Sequence, residues 1–263
     1  MDAVATLDHV VRRDRLLVGL GLAAMTALAW VYLARAAAGM DAMAADARMH
    51  AAMGMADMRA WGIADWAGLL TMWTVMMVAM MLPSAAPVIL LVLGVYRRRN
   101  DPQARIASIA FVTGYLAAWT AFSVAAASTQ LVLHRAALLS ADMRIGAAGV
   151  SGVVLIVAGL YQWLPLKQMC LTHCQSPFGF LSRYWAEGAG GGFGLGFRHG
   201  MFCVGCCWLL MTLLFVVGVM NLWWVAALAG FVLLEKLLRG GALFGRLAGS
   251  AAVTWGAYLV LTR

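Results

Sequence analysis

Apolar runs of about twenty residues, separated by short basic segments, are the feature that most constrains this chain. A helix of that length is enough to cross a bilayer. Of the 263 residues, 64% are hydrophobic and 11% are charged, whereas a soluble domain carries about 25% charged residues. The pattern predicts an all-α fold, a polytopic transmembrane helical bundle that forms a single integral membrane domain over residues 1–263.

Hydropathy predicts six membrane spans and a weaker seventh. The six cover residues 16–36, 66–96, 106–133, 145–164, 199–219 and 222–238, and the seventh covers residues 247–261. Pro83 and Pro87 lie inside the second span. Proline lacks a backbone N–H and clashes with the preceding turn, so we expect these two residues to interrupt the helix.

Basic residues set the predicted orientation. Lysine and arginine are enriched on the cytoplasmic side of membrane proteins, and Arg12, Arg13 and Arg15 precede the first span. This places the N-terminus in the cytoplasm, with segment 37–65 outside and a cysteine-bearing loop, 165–198, inside. The net charge of +8 then reflects topology and contact with membrane lipid, and it does not indicate a nucleic-acid partner.

All five cysteines lie in two clusters, and each cluster has a histidine beside it. The first cluster is Cys170 and Cys174 with His173, and the second is Cys203, Cys206 and Cys207 with His199. Residues four apart share a helix face, and thiolates select soft ions such as copper(I) and zinc. Buried cysteine is also a common apolar core residue, but two clusters with histidine favour a metal site. Copper is the preferred ion and zinc is the alternative.

Methionines form two further candidate sets. The outer segment holds Met49, His50 and Met53, and the second span holds Met72, Met76 and Met80 at spacing four, with Met77 and Met81 as a parallel row. Thioethers are uncharged soft donors for copper(I), although methionine is also an ordinary core residue. The outer set suggests copper capture, and the row in the second span suggests a lining for its passage.

Glu235 and Lys236 are ionisable residues inside the predicted sixth span. A lysine near the end of a span can extend its ammonium group to the membrane interface. Glu235 has Lys236, Lys167 and Arg198 as possible partners, or it could orient His199 as a carboxylate behind a metal ligand.

Three stretches of the sequence resemble a known family. They are Met76–Pro83, the segment from Tyr161 to Pro177 with its Cys-x-x-x-Cys motif, and Gly196–Met211 with the second cysteine cluster. They resemble the DUF2182 family of bacterial predicted metal-binding integral membrane proteins over residues 60–240. The resemblance implies metal ligands at Cys170, Cys174, Cys203, Cys206 and Cys207, with His199 as a less certain member, and implies no settled activity.

Three functions remain open at this stage, together with a purely structural metal clip that holds the 165–198 loop against the fifth helix, and whether the protein is an enzyme is uncertain. The first is copper(I) handling, meaning capture, transfer or transport, with a metal chaperone or a second membrane subunit as partner. The second is a membrane thiol–disulfide oxidoreductase, in which Cys203 and Cys206 form a Cys-x-x-Cys motif at the expected N-terminus of a helix. The third is a subunit of a membrane-embedded copper oxidase or oxygenase.

Overall fold

In the residues that the computed structural model describes, the protein consists of helices joined by short turns and loops, with one isolated β-bridge between Leu139 and Ile145. The described residues are 2–52, 62–99, 102–136, 138–139, 145, 148–238 and 240–262. The helices are α1 (Asp2–Ala52), α2 (Ile63–Arg98), α3 (Ala104–Arg135), α4 (Ala148–Tyr161), α5 (Pro165–Gln175), α6 (Pro177–Tyr184), α7 (Gly188–Thr212), α8 (Leu214–Val217), α9 (Leu222–Leu237) and α10 (Gly241–Leu261).

Several of these helices have the length and composition of membrane spans. Within the described residues, four qualify: Arg13–Met40 in α1, α2, α3, and Gly188–Val217, which joins α7 and α8. A fifth crossing results if α4 and α5, which are bent by 63° relative to each other, count as one broken span. The predicted spans 222–238 and 247–261 correspond to α9 and α10, which fall outside this group. The architecture is therefore compatible with a membrane protein of four or five such crossings.

The helices differ from the predicted spans in several places. Helix α1 extends beyond the first predicted span to Ala52, inside the predicted outer segment 37–65. The segment 165–198, predicted as a loop, is mostly helical, because it contains α5, α6 and the first turns of α7. Its low hydropathy reflects polar and glycine residues that lie inside helices. Pro83 and Pro87 do not interrupt the second span either, since α2 continues through both of them.

Glycines bring α7 and α3 unusually close together. A Cβ atom added at Gly196 would lie 1.9 Å from the carbonyl oxygen of Phe111, and one at Gly192 would lie 2.3 Å from that of Ala107. Small residues allow the backbones of membrane helices to approach in this way. The glycine-rich run at the start of α7 is therefore a helix-packing surface, and it fixes the position of the cysteine-bearing half of the same helix.

Helices α2 and α7 run antiparallel. Near the C-terminal end of α2, the Tyr96 hydroxyl donates to the carbonyl oxygen of Ala186, which lies just before α7 begins. Near the N-terminal end of α2, the ring of Trp73 lies 5.3 Å from that of Phe215 in α8, beyond the end of α7. This arrangement aligns the methionine-rich part of α2 with the cysteine-rich part of α7.

The close contact between α3 and α7 generates a first prediction. Gly196→Ala should lower the free energy of unfolding by about 1–3 kcal/mol, the usual cost of forcing extra volume into a packed interface. Gly194→Ala is the matched control, because nothing lies within 4 Å of a Cβ at that position and alanine is the better helix former. The free energy of unfolding of both variants is measured in detergent micelles. Equal stabilities would show that the close approach does not restrict residue 196.

Candidate metal centre

Thiols from α5 and α7 meet inside the helix bundle. Cys203, Cys206 and Cys207 on α7 are buried, with exposed fractions of 1%, 1% and 0%. Cys174 on α5 is partly buried and lies one turn beyond Cys170, whose sulfur contacts α7 at Gly205. The two cysteine clusters, which are separated in the sequence, therefore lie side by side in the fold.

Cys170 lies at the edge of this group, where α5 crosses α7 at Gly205. The sulfur of Cys170 is 2.8 Å from the position of a Cβ at Gly205, so any side chain at residue 205 would collide with it. The Tyr161 hydroxyl donates to the carbonyl oxygen of the same glycine. Gly205 thus allows α5 to approach α7 closely enough for its two thiols to reach the cysteines of α7.

Cys203 has the most polar contacts of the group. The Lys236 ammonium group on α9 donates to its sulfur at 2.9 Å and to the Ser84 hydroxyl on α2 at 3.2 Å. The Tyr115 hydroxyl on α3 lies 3.1 Å from the same sulfur and donates to the carbonyl oxygen of Met81 at 3.2 Å. An ammonium donor beside a sulfur suits the thiolate, which is the form that binds metals.

Lys236 therefore does not extend to the membrane interface as the sequence suggested. Its exposed fraction is 7%, and its ammonium group points into the bundle. The difference arises because Ser84 and Cys203 provide polar partners inside the protein, whereas the sequence shows only that Lys236 lies near a helix end.

The carboxylate next to Lys236 in the sequence is already paired with a different lysine. Glu235 accepts from Lys167 at 2.5 Å, and these side chains have exposed fractions of 1% and 0%. Lys167 also donates to the side-chain oxygen of Gln162, and Gln175 donates to the backbone carbonyl of Glu235 at 2.8 Å. This network joins α5 to α9, and of the partners considered for Glu235 it selects Lys167.

The thiols of Cys206 and Cys207 both donate to the carbonyl oxygen of Cys203, at 3.0 and 2.9 Å. In the described part of the chain, no three His, Cys, Asp or Glu side chains are arranged as a ready metal-binding group. The physical reason is that these two thiols point at the backbone and Lys236 contacts Cys203. Metal binding here would require the thiols to rotate away from the carbonyl, and the donor atoms for it are all within one buried region.

The two candidate histidines have different surroundings. His199 is buried one turn before Cys203, and its ring lies 5.2 Å from that of Phe180. Among the described residues its Nδ1 atom has no hydrogen-bond partner, so this nitrogen fits a ligand role. His173 stacks on Phe202 at 4.1 Å, and its Nδ1 atom lies 2.8 Å from the carbonyl oxygen of Met169.

The candidate methionines are divided between the core and the surface. Met72, Met76 and Met80 are buried, with exposed fractions of 6%, 0% and 1%. The methionine that contacts the cysteines belongs to the parallel row, however: the Met81 sulfur lies 4.0 Å from that of Cys207. In the outer set, Met49 is 55% exposed, whereas Met53 and the side chain of His50 lie outside what the structure describes.

Sequence reasoning missed Tyr115 and Ser84 as neighbours of the cysteines. Tyr115 is one aromatic residue among many in an apolar span, and Ser84 is a single small polar residue between two prolines. Neither has a local signal that distinguishes it from a residue of the packed core. Met81 did have a signal, since it belongs to a methionine row, but helix spacing alone does not show which row faces the site.

The buried ion pair generates a second prediction. Glu235→Gln should lower the free energy of unfolding by about 3–5 kcal/mol, because the buried ammonium group of Lys167 would lose its counter-charge. Glu187→Gln is the control: Glu187 and Arg99 form an ion pair at 3.4 Å with side-chain exposures of 75% and 55%, and such surface pairs contribute at most about 1 kcal/mol. Denaturant titration in micelles measures the free energy of unfolding of both variants. Equal losses of stability in the two would contradict a stabilising ion pair between Glu235 and Lys167.

Comparison with known proteins identifies the family. Residues 70–259 match the model of the PpoB2 family, which is described as a copper chaperone. The match covers most of the chain and includes all five cysteines. No curated protein and no solved structure matches the chain. The resemblance to DUF2182 thus corresponds to a related copper-associated membrane family with a different name. The chain belongs to the PpoB2 family of copper chaperones.

Proposed function

We propose that this protein is an integral membrane copper(I) chaperone that holds its ion among the thiols of Cys174, Cys203, Cys206 and Cys207. The observation that carries the proposal is the contact between the two cysteine-bearing helices, in which the sulfur of Cys170 on α5 lies against Gly205 among the buried cysteines of α7, in a chain that belongs to a copper chaperone family. Cys170 and His199 lie at the border of this group and are additional donors for an ion in transit.

The donor chemistry supports copper(I) as the cargo. Thiolates and thioethers are soft ligands that select copper(I), and the group combines several thiols with the sulfur of Met81 beside Cys207. Among the residues that the structure describes, no carboxylate contacts Cys203, because Glu235, the buried acid on α9, is engaged by Lys167. Such a donor set disfavours hard ions such as magnesium and calcium, which require oxygen ligands.

Charge distinguishes copper(I) from zinc at this place. Copper(I) with two thiolates has a net charge of −1, which the single positive charge of Lys236 offsets. Zinc with four thiolates has a net charge of −2, and one lysine would leave −1 in a buried region. Since uncompensated buried charge costs several kcal/mol, the position of Lys236 beside Cys203 favours copper(I) held by two thiolates over zinc held by four.

Binding would replace contacts that the chain makes within itself. Lys236 would release the sulfur of Cys203 while keeping its bond to Ser84, and the thiols of Cys206 and Cys207 would turn away from the Cys203 carbonyl. These internal partners keep the polar groups satisfied when the ion has left. A site with such alternatives is suited to passing the ion by ligand exchange to a metal chaperone or a second membrane subunit.

The proposal includes insertion in the bacterial inner membrane with a cytoplasmic N-terminus. The basic residues before the first predicted span and after α2 support this orientation, and the long apolar helices support the membrane setting. Six or seven crossings would result if α9 and α10 also span the bilayer alongside the four or five helices that have the required length and composition.

A thiol–disulfide oxidoreductase is the second candidate, and the contact between Lys236 and Cys203 favours it because a nearby ammonium group activates a thiol. Two observations weigh against it. Cys203 is buried, which hinders attack on the disulfide of a partner protein. Helix α7 begins at Gly188, so the Cys-x-x-Cys motif lies in the middle of the helix and lacks the activation that the sequence suggested from a helix N-terminus.

A copper oxidase or oxygenase subunit receives less support than the copper chaperone or the thiol–disulfide oxidoreductase. Such centres use imidazole ligands with an open coordination position. His173, the second histidine near the cysteines, stacks on Phe202, which leaves His199 as the imidazole beside the thiols.

The copper proposal predicts a loss of bound metal on removal of its thiols. Reduced protein in detergent should bind copper(I) in competition with a chelator, and Cys174→Ser combined with Cys203→Ser should lower its affinity at least about a hundredfold, since two of the soft donors are gone. Met201→Leu, which alters an exposed sulfur on the same helix, should have no effect. Unchanged affinity in the double variant, or a preference for zinc in the parent protein, would reject the proposal.

The orientation is tested by reporter fusions. Green fluorescent protein fused after Arg99 should fluoresce, and alkaline phosphatase fused after Asn221 should be active, because these positions follow an even and an odd number of predicted crossings. The opposite pattern at both positions would show that the N-terminus lies outside.

A further inference from the structure

We propose that Met77, Met81 and Met211 form a thioether site for copper(I) next to the cysteines, on the line between the cysteines and the Trp73–Phe215 contact. The inference deepens the proposed function and depends on it. The row Met72, Met76 and Met80, which the sequence suggested for this role, is the adjacent row on α2, displaced by one residue.

Two side-chain contacts between α2 and the segment formed by α7 and α8 establish the register. The sulfurs of Met81 and Cys207 lie 4.0 Å apart. The rings of Trp73 and Phe215 lie 5.3 Å apart. In an antiparallel pair of helices, Met77 lies midway between Trp73 and Met81, and Met211 lies midway between Cys207 and Phe215. Since residues four apart share a helix face, this register brings Met77 and Met211 to the same level of the interface.

Burial supports the assignment. Met77, Met81 and Met211 have exposed fractions of 1%, 0% and 0%, so their sulfurs lie within the bundle and do not face lipid. The row on α7 reads His199, Cys203, Cys207 and Met211 at a constant spacing of four. Soft donors therefore continue along one face of α7 from the buried imidazole to the buried thioether.

The chemical class of the ligand follows from these donors. Three neutral thioethers bind copper(I) or its analogue silver(I), and they provide no negative charge to hold a divalent ion. Thioethers bind copper(I) more weakly than thiolates, so the ion would move from Met77 and Met211, past Met81, to Cys207. The Trp73–Phe215 contact closes the interface at the opposite end, and Trp73 is held there by a hydrogen bond of 2.7 Å to Gln130.

The experiment uses protein labelled with selenomethionine and loaded with copper(I). X-ray absorption at the copper edge then separates copper–sulfur from copper–selenium neighbours. The unmodified sequence should show a selenium shell when a second equivalent of copper(I) is added. Met77→Leu with Met211→Leu should reduce the number of selenium neighbours by more than half. The same pair should lower the affinity for the second equivalent of copper(I) at least about tenfold. Met72→Leu with Met76→Leu is the matched control and should change neither, because these buried methionines are not three or four residues from Met77 or Met81. Leucine conserves the volume of methionine, so both pairs should fold.

The outcomes separate this inference from the proposed function. Copper with sulfur neighbours and no selenium shell would reject the thioether site and leave the cysteine site in place. A selenium shell that is lost equally in the control pair would also reject it. If the protein binds no copper at all, both proposals fail.

Discussion

The buried ammonium group of Lys236 is the constraint on which the centre of this structure depends. A buried cation is stable only when a counter-charge or good acceptors surround it. The acid beside Lys236 in the sequence, Glu235, is already paired with Lys167, so the sulfur of Cys203 and the hydroxyl of Ser84 take that role. One lysine thus ties α9 to α2 and α7, and it places a positive charge where anionic sulfur would gather around an ion.

Close backbone packing makes that arrangement possible. Glycines allow α7 to lie against α3, and this approach brings the Tyr115 hydroxyl to within 3.1 Å of Cys203. Gly205 provides the same freedom on the other side of α7, where the sulfur of Cys170 occupies the space that a side chain would fill. The glycines of α7 are therefore as much a part of the site as its cysteines, because larger residues would move the donor atoms apart.

The sequence predicts some parts of this site and not others, for identifiable reasons. The helical class follows from hydropathy, and the shared face of Cys203 and Cys207 follows from their spacing of four. The helices of segment 165–198 could not be predicted from hydropathy, since glycine and polar residues lower it in a packed helix as they do in a loop. The inward direction of Lys236, and the choice of Met81 over Met80, depend on neighbours contributed by α2, α3 and α7, which no local pattern contains.

A chaperone must hold an ion and also release it, and the contacts around Cys203 bear on both requirements. The groups around the ion have partners to return to: the Cys206 and Cys207 thiols have the Cys203 carbonyl, and Lys236 has the Cys203 sulfur. These alternatives lower the free-energy cost of the empty state, because a buried polar group without a partner is costly. The difference between the loaded and empty states is therefore smaller than it would be for a rigid set of thiolates. Exchange to another sulfur ligand is correspondingly easier, which is the property that separates a carrier of copper from a permanent metal site.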